Sequence, residues 1–332
     1  MKALIRKLSQ TPGPSGYESG VRQAIYDELK GYSNDIQTDA LGNLIVRIGK
    51  KTSDGMRIMV AAHMDEIGII ASHVERNGMV RFGTIGTVLP RYLPGSQVLF
   101  LNGARGVINT DRPEDPSKPP SIENHFIDMG ADNNEDCPVK IGDLAVFNSE
   151  FLDLGQRIIC KALDNRAACA IAIATIKQIR DTTNELVFVF SVQEEAGFRG
   201  AQTAAFGIEA DLGFSLDVTL AGNNKRHDRH CVLGKGPAIK VRDENYISDQ
   251  KVVNWMVEGA RKINSPYQLE VIDSGSTGAR MMQITRMGML SGGLSLPCRY
   301  VHSQSEMIDI ADCENMVKLL VELLGNPVQL GR

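Results

Sequence analysis

Five potential metal ligands stand at the ends of apolar, strand-like runs. His63 follows Ile58-Met-Val-Ala-Ala62, and Glu194 and Glu195 follow Val187-Phe-Val-Phe-Ser-Val192. Asp217 follows Leu212-Gly-Phe-Ser-Leu216, and His302 follows Leu294-Ser-Leu-Pro297 by a short loop. In an open α/β sheet the loops beyond the carboxyl ends of the strands converge while the strands hold them rigid, so residues at such ends can be gathered into one cleft. Each alone has an ordinary reading, because strand ends are often polar and an acidic pair usually faces solvent. Together with Asp164 they pose an electrostatic problem. Bringing Asp164, Glu195 and Asp217 into one cleft sets like charges against each other in a partly desolvated place, and such a cluster requires cations. Three carboxylates against two divalent ions leave one positive charge, which a hydroxide neutralises. That is the charge balance of a hydrolytic site. Imidazole with carboxylate suits zinc or cobalt, whereas a hard-oxygen calcium site would not use two histidines.

A scaffold must position these groups, and the chain is long enough to build one. Its 332 residues allow two compact units at roughly 150 residues each, both able to bury a core. Hydrophobic residues make up 42% and charged residues 23%, as in ordinary globular proteins. The net charge of -4 comes from 36 basic and 40 acidic residues spread evenly, with no basic stripe for nucleic acid or an anionic membrane. Neither is an expected partner. The first ten residues carry Arg6 and no apolar core of signal-peptide length, and no later run approaches ~18 apolar residues, so the expected location is the cytoplasm. Cysteines 137, 160, 169, 231, 298 and 313 form no Cys-x-x-Cys pair and read as reduced packing residues. Cys298 lies close to His302 in sequence but has no neighbour suited to activate a thiol.

Along the chain, Val21, Ala24, Ile25 and Leu29 predict an amphipathic helix over 17–30 that packs on a sheet. Strands follow over 43–48 and 57–62, the second apolar enough to be buried on both faces. Asn77-Gly78 between runs 67–74 and 79–83 predicts a hairpin, and short β-like runs continue to about residue 159. They are interrupted at 111–120, where four prolines argue for an exposed loop. Residues 67–159 thus read as an inserted all-β domain. Beyond Asp164 helices (167–179, near 201, 252–263, from 279, 313–324) alternate with strands (186–192, 212–216, 269–272, 289–296). That alternation predicts an α/β unit with a mainly parallel sheet flanked by helices.

Six segments carry a family resemblance: Ser15-Gly-Tyr-Glu18, Ala62-His-Met-Asp-Glu-Ile-Gly68, Lys161-Ala-Leu-Asp-Asn-Arg-Ala167, Glu194-Glu-Ala-Gly-Phe-Arg-Gly-Ala201, Ser215-Leu-Asp217 and Arg299-Tyr-Val-His-Ser303. In order and approximate spacing over nearly the whole chain they resemble the cytosolic dinuclear aminopeptidases of the glutamyl and tetrahedral (TET) types, peptidase clan MH. The resemblance implies a zinc-peptidase-like catalytic domain, residues 1–66 plus 160–332, and a barrel-like β dimerisation domain at 67–159. It implies two divalent ions, zinc or cobalt, bridged by Asp164, with His63 and Asp217 completing one site and Glu195 and His302 the other. Glu194 becomes the general base, taking a proton from water acidified toward a pKa of ~7 and returning it to the leaving amine. Asp65 fits the carboxylate that accepts the other imidazole N–H of His63 and fixes its tautomer. Successive strand residues point oppositely, so the chain must bend for Glu194 and Glu195 to face one site. The implied substrates are short peptides that lose their N-terminal residues.

The resemblance also implies a homo-oligomer, with dimers as building blocks and a tetrahedral dodecamer as end point. The inserted domain's edge strands would need cover, and Val88, Leu89, Tyr92 and Leu93 are either contacts or domain core. One departure stands out. Relatives commonly carry Gly-Thr-Asp-Ala where this chain has Ser276-Thr-Gly-Ala279 followed by Arg280, so an acidic group near the cleft is missing. Lys161 and Arg199 sit beside ligands, either holding carboxylates or substrate or as solvated charges. His73, His125, His227 and His230 have no motif support. The rival readings are a deacylase or carboxypeptidase with the same metal chemistry, and a non-catalytic assembly protein of the same fold.

Overall fold

The computed structural model describes residues 1–111, 120–222 and 231–330. Most of the proline-rich stretch, together with His227 and His230, lies outside the described residues. The strand Arg57–His63 is buried on both faces from Ile58 onward, so it must be central. It runs parallel to Glu185–Ser191 on one side and to Leu212–Leu220 on the other. Leu212–Leu220 in turn runs parallel to Leu290–Arg299. Among the described residues these four form the middle of an eleven-stranded sheet. Its rims are antiparallel. Leu44–Ile48 and Asp35–Thr38 extend one side, and Glu306–Asp309, Arg157–Cys160 and Leu152–Asp153 extend the other. Ala238–Arg242 and Gln268–Val271 branch from Leu290–Arg299.

Helices cover both faces. Leu163–Gln178 is buried almost throughout because its alanines let it lie close against the central strands, and Lys2–Gln10 and Ile310–Gly325 pack over it. On the opposite face Arg199–Ile208 and Ala279–Gln283 close a core of Met59, Ala61, Val187, Val189, Ala204, Met282 and Met289. The last helix starts where the Asp309 side chain accepts from the Ala311 N–H, satisfying one donor of its first turn. The helix expected over 17–30 forms at Ser19–Leu29, burying Val21, Ile25 and Leu29. The helix Lys2–Gln10 was not anticipated; it turns Ile5, Leu8 and Ser9 inward. No described helix is long and apolar enough to cross a membrane.

Gly68–Val74, Val80–Ile85, Gln97–Phe100, Arg105–Thr110, His125–Asp128 and Leu144–Phe147 close into a barrel filled by Val80, Phe82, Val98, Phe100, Ile108, Ile127 and Phe147. The Asn77-Gly78 hairpin is present, with Gly78 at φ +84. Closure leaves the barrel without free edges, so the expectation that edge strands need cover falls away. Val88 and Leu93 belong to the barrel core, not to an outer surface. The barrel strands end at Phe147, and from Leu152 the chain pairs within the large sheet.

One buried cation ties the N-terminal segment to this scaffold. Arg166 is fully buried and donates to the carbonyls of Leu8 (2.6 Å), Thr11 (2.8 Å) and Gly13 (3.2 Å), with Glu66 Oε1 3.3 Å away. Glu66 also takes Lys161 Nζ at 2.6 Å. Arg166→Met keeps the bulk but leaves the Thr11 carbonyl without its donor and takes one of two cations from Glu66, which keeps Lys161, while the Leu8 and Gly13 carbonyls keep only the N–H groups of Thr11 and Glu66. A loss of about 2–4 kcal/mol in unfolding free energy is expected from the broken charge-assisted hydrogen bonds. Urea denaturation in chelator measures it, and a loss below ~1 kcal/mol would contradict this role for Arg166.

Candidate metal centre

The parallel strands deliver their ends to one place. His63 is the last residue of its strand and lies level with Ser191. Asp217 sits inside its strand, which runs on to Leu220, instead of following it as the sequence reading has it. The reason is the neighbours: Ser215 is the last residue paired to Arg57–His63, opposite Ala61, while pairing to Leu290–Arg299 continues through Asp217 opposite Ser295. Asp217 therefore comes level with His63 at the point where the strand between it and Glu185–Ser191 ends. Asp164 precedes the regular part of its helix and has non-helical dihedrals, with a cis peptide bond to Asn165. His302 lies in the turn after Arg299, in a left-handed conformation at φ +62.

The bend required at the two glutamates is formed by Gln193, a non-glycine residue at φ +53. Carboxylates hold it. Glu18, buried, accepts from the Gln193 N–H at 3.0 Å and from the Gly16 N–H at 2.7 Å. Asp65, fully buried, accepts from Glu194 N–H (3.0 Å), Glu195 N–H (3.1 Å) and the Ser15 hydroxyl (2.6 Å). Its Oδ1 is also 3.4 Å from His63 Nδ1, but that ring nitrogen makes no aligned hydrogen bond. Asp65 thus braces the backbone of the glutamate pair in addition to standing behind His63. The barrel touches the site too. A Cβ at Gly86, which has φ +75, would lie 2.7 Å from Glu195 Oε2, so only glycine fits there.

The side chains converge. His63 Nε2 is 3.0 Å from Asp164 Oδ1 and 3.7 Å from Asp217 Oδ1. His302 Nε2 is 3.4 Å from Asp164 Oδ2 and 3.3 Å from Glu195 Oε1. Among the described residues three groups of donors each lie within 4.8 Å of one another: His63 with Asp164 and Asp217, Asp164 with Glu195 and His302, and His63 with Glu194 and Glu195. Of the other residues singled out, Lys161 is buried against Glu66, whereas Arg199 is exposed and reaches Gln193 Oε1 at 3.4 Å. Cys298 is buried, and burial pushes its thiol well above the usual range, which leaves no reactive thiolate.

The electrostatics ask for positive charge. Burial, reinforced by Asp217 and Glu195, raises the Glu194 carboxyl well above its ordinary value, and burial with Asp164 raises Glu195 and lifts Asp217 to about 7. Burial would lower both imidazoles. The carboxylates overcome it, raising His63 well above its ordinary value and His302 to about 12. Burial likewise opposes ionisation of Asp164, yet the His302 and His63 rings hold its carboxyl below the usual range. Positive charge is thus favoured among these carboxylates. A dication placed here supplies that charge, freeing the imidazoles as neutral ligands and stabilising the carboxylates as anions. The donor set fits such an ion, with His63 Nε2 toward the carboxylates and Nδ1 left facing Asp65.

Two donor groups joined through one carboxylate, on a doubly covered sheet with an inserted barrel, is a combination that can be compared directly. Residues 42–319 match the model of the M42 glutamyl aminopeptidase family. The chain belongs to that family. M42 members are aminopeptidases, so the chain is a hydrolase acting on peptide bonds. A putative aminopeptidase of Acetivibrio thermocellus is 41% identical over 325 residues, 97% of each chain. The structure of aminopeptidase APDkam598 from the archaeon Desulfurococcus kamchatkensis matches with a TM-score of 0.92 at 34% identity, covering 98% of this chain and 94% of that one. The Pyrococcus horikoshii TET1 peptidase, described as assembling into a tetrahedron or a large octahedral shell, matches with a TM-score of 0.87 at 31% identity over 97% of this chain and 98% of that one.

Sequence reasoning left other functional supports of this M42 site without a role. Ser15 and Glu18 lie in a quoted motif but had none assigned, and Glu306 was not singled out. Glu306 Oε2 accepts from the Asp164 N–H and Oε1 from the His302 N–H, both at 2.9 Å. Its only sequence signal is its place four residues after His302.

Proposed function

We propose that this M42 enzyme removes N-terminal residues from short peptides using two divalent cations, zinc or cobalt, one held by His63, Asp164 and Asp217 and the other by Asp164, Glu195 and His302. The observation that carries the proposal is the pair of donor groups sharing Asp164. Cations held by these residues would supply Lewis acidity at the scissile carbonyl and acidify a water molecule. Glu194 then acts as the general base. Its backbone is pinned to Asp65, and its carboxylate borders His63 and Glu195, so it is placed to take the water's proton and hand it to the leaving amine. Asp65 and Glu18 keep the bend that turns both glutamates inward. Release of amino acids from a panel of free peptides, N-acetylated peptides and N-acylated amino acids, with zinc or cobalt added, tests the reading. Cleavage confined to free N-termini supports it; cleavage of acylated amino acids alone makes the enzyme a deacylase.

The same proposal assigns catalysis to residues 1–66 with 160–332 and assembly to 67–159, although the last strands of that span, Leu152–Asp153 and Arg157–Cys160, pair within the large sheet. In support, the barrel strands fall between Gly68 and Phe147. A cytoplasmic site of action is part of it, carried by the resemblance to cytosolic dinuclear aminopeptidases. Assembly into dimers and then a closed tetrahedral shell of twelve is supported by the TET1 relative's tetrahedron. Light scattering at micromolar concentration with metal is expected to show such a shell. A strictly monomeric mass would rule assembly out.

A further inference from the structure

We propose that Glu306 is the positioning residue for the second donor group, Asp164 with Glu195 and His302, and that the occupancy of that group depends on it. The inference rests on the two-cation reading and adds a division of labour between the groups. Glu306 is 2% exposed, and each of its oxygens is spent on one backbone N–H, that of Asp164 and that of His302. A single carboxylate therefore ties together two ligand-bearing loops that are distant in sequence. The topology puts it where both loops leave the sheet. Its strand, Glu306–Asp309, pairs with Leu290–Arg299 and with Arg157–Cys160, and Cys160 stands directly opposite Glu306.

Both loops need holding. Ala162 (φ +56), Tyr300 (φ +58) and His302 (φ +62) are all non-glycine residues in the left-handed region, a conformation that persists only where the surroundings over-determine it. The first donor group is fixed differently. His63 closes a central strand, and Asp217 continues one, with its Oδ1 accepting from the Val218 N–H at 2.9 Å. Glu306 thus anchors two of the three donors in the second group but only Asp164 in the first.

Glu306→Gln keeps the size of the side chain but turns an amide donor toward one of the two N–H groups. Glu306→Asp keeps the carboxyl group but is too short to reach both. Zinc titration of each metal-free variant against a competing chelator, with bound zinc counted by elemental analysis, tests the proposal without recourse to activity. In both variants the first ion is expected to bind at close to wild-type affinity and the second about 10–100-fold more weakly, the range for loss of a partner that orients a ligand. Raising zinc should then restore the second ion. Thermal melting in chelator establishes which variant folds, and a folded Glu306→Asp suffices if Glu306→Gln does not fold. Two ions at wild-type affinities, or equal weakening of both, would overturn the proposal. So would failure of both variants to fold, which would give Glu306 a general structural role. A wild-type protein that never takes a second ion removes the two-cation reading itself.

Discussion

Glu194→Gln is expected to take up as much metal as the wild type and to lose at least ~100-fold in turnover, the usual effect of removing a positioned general base. The substitution preserves shape, and the backbone bonds that place residue 194 belong to Asp65 and do not change. Glu194 appears only in the donor group with His63 and Glu195, outside both groups that share Asp164. Replacing its carboxylate with an amide therefore leaves three donors for each ion while removing the group that accepts the proton. The neighbouring change should fail differently. Glu195 Oε1 lies 3.3 Å from His302 Nε2 and belongs to the second donor group, so Glu195→Gln substitutes a poorer ligand and should lose metal before it loses the capacity for proton transfer. Added zinc should partly rescue Glu195→Gln and leave Glu194→Gln unchanged. Near-normal turnover in Glu194→Gln would take this residue out of the chemistry.

Asp164→Ala carries the second large effect. Its two oxygens face different histidines, Oδ1 toward His63 and Oδ2 toward His302, and it is common to both donor groups. Without it each group keeps two protein donors, short of the three that catalytic zinc sites normally use. Both ions should weaken together by at least ~100-fold, more than the 10–100-fold that follows from losing a partner outside the ligand set. This joint loss separates Asp164 from Glu306, whose substitution is expected to weaken one ion preferentially. Calorimetric zinc titration would register it, and retention of either ion at wild-type affinity would show that the carboxylate is not shared.

The sequence made some of this arrangement legible because strands buried on both faces are continuous apolar runs. Ile58-Met-Val-Ala-Ala62 and Val187-Phe-Val-Phe-Ser-Val192 therefore marked both the central strands and the residues at their ends. Asp217 was harder to place, since its strand continues past it through Val218 to Leu220, on pairing that no local pattern reveals. A barrel-like domain was implied by the family resemblance alone, for a similar reason. Alternation and turn residues predict strands, but closure depends on tilt and on pairing between distant segments, such as Gly68–Val74 with Leu144–Phe147. The supports were the least visible. Asp65, Glu18 and Glu306 act by accepting backbone N–H groups, which any residue type except proline donates, so their partners leave no signature of type or spacing. Arg166 was within a quoted motif, yet only the fold shows it bonding the carbonyls of Leu8, Thr11 and Gly13.

The central claim is that one shared carboxylate and two histidine-bearing groups hold a pair of cations. Elemental analysis of the purified chain, stripped with chelator, reconstituted with zinc or cobalt and freed of excess metal, measures this directly. The expected value is two ions per chain, with peptidase activity lost on chelation and regained on reconstitution. A reconstituted, folded protein that never exceeds one ion per chain, and whose content is unchanged in Asp164→Ala, would contradict it.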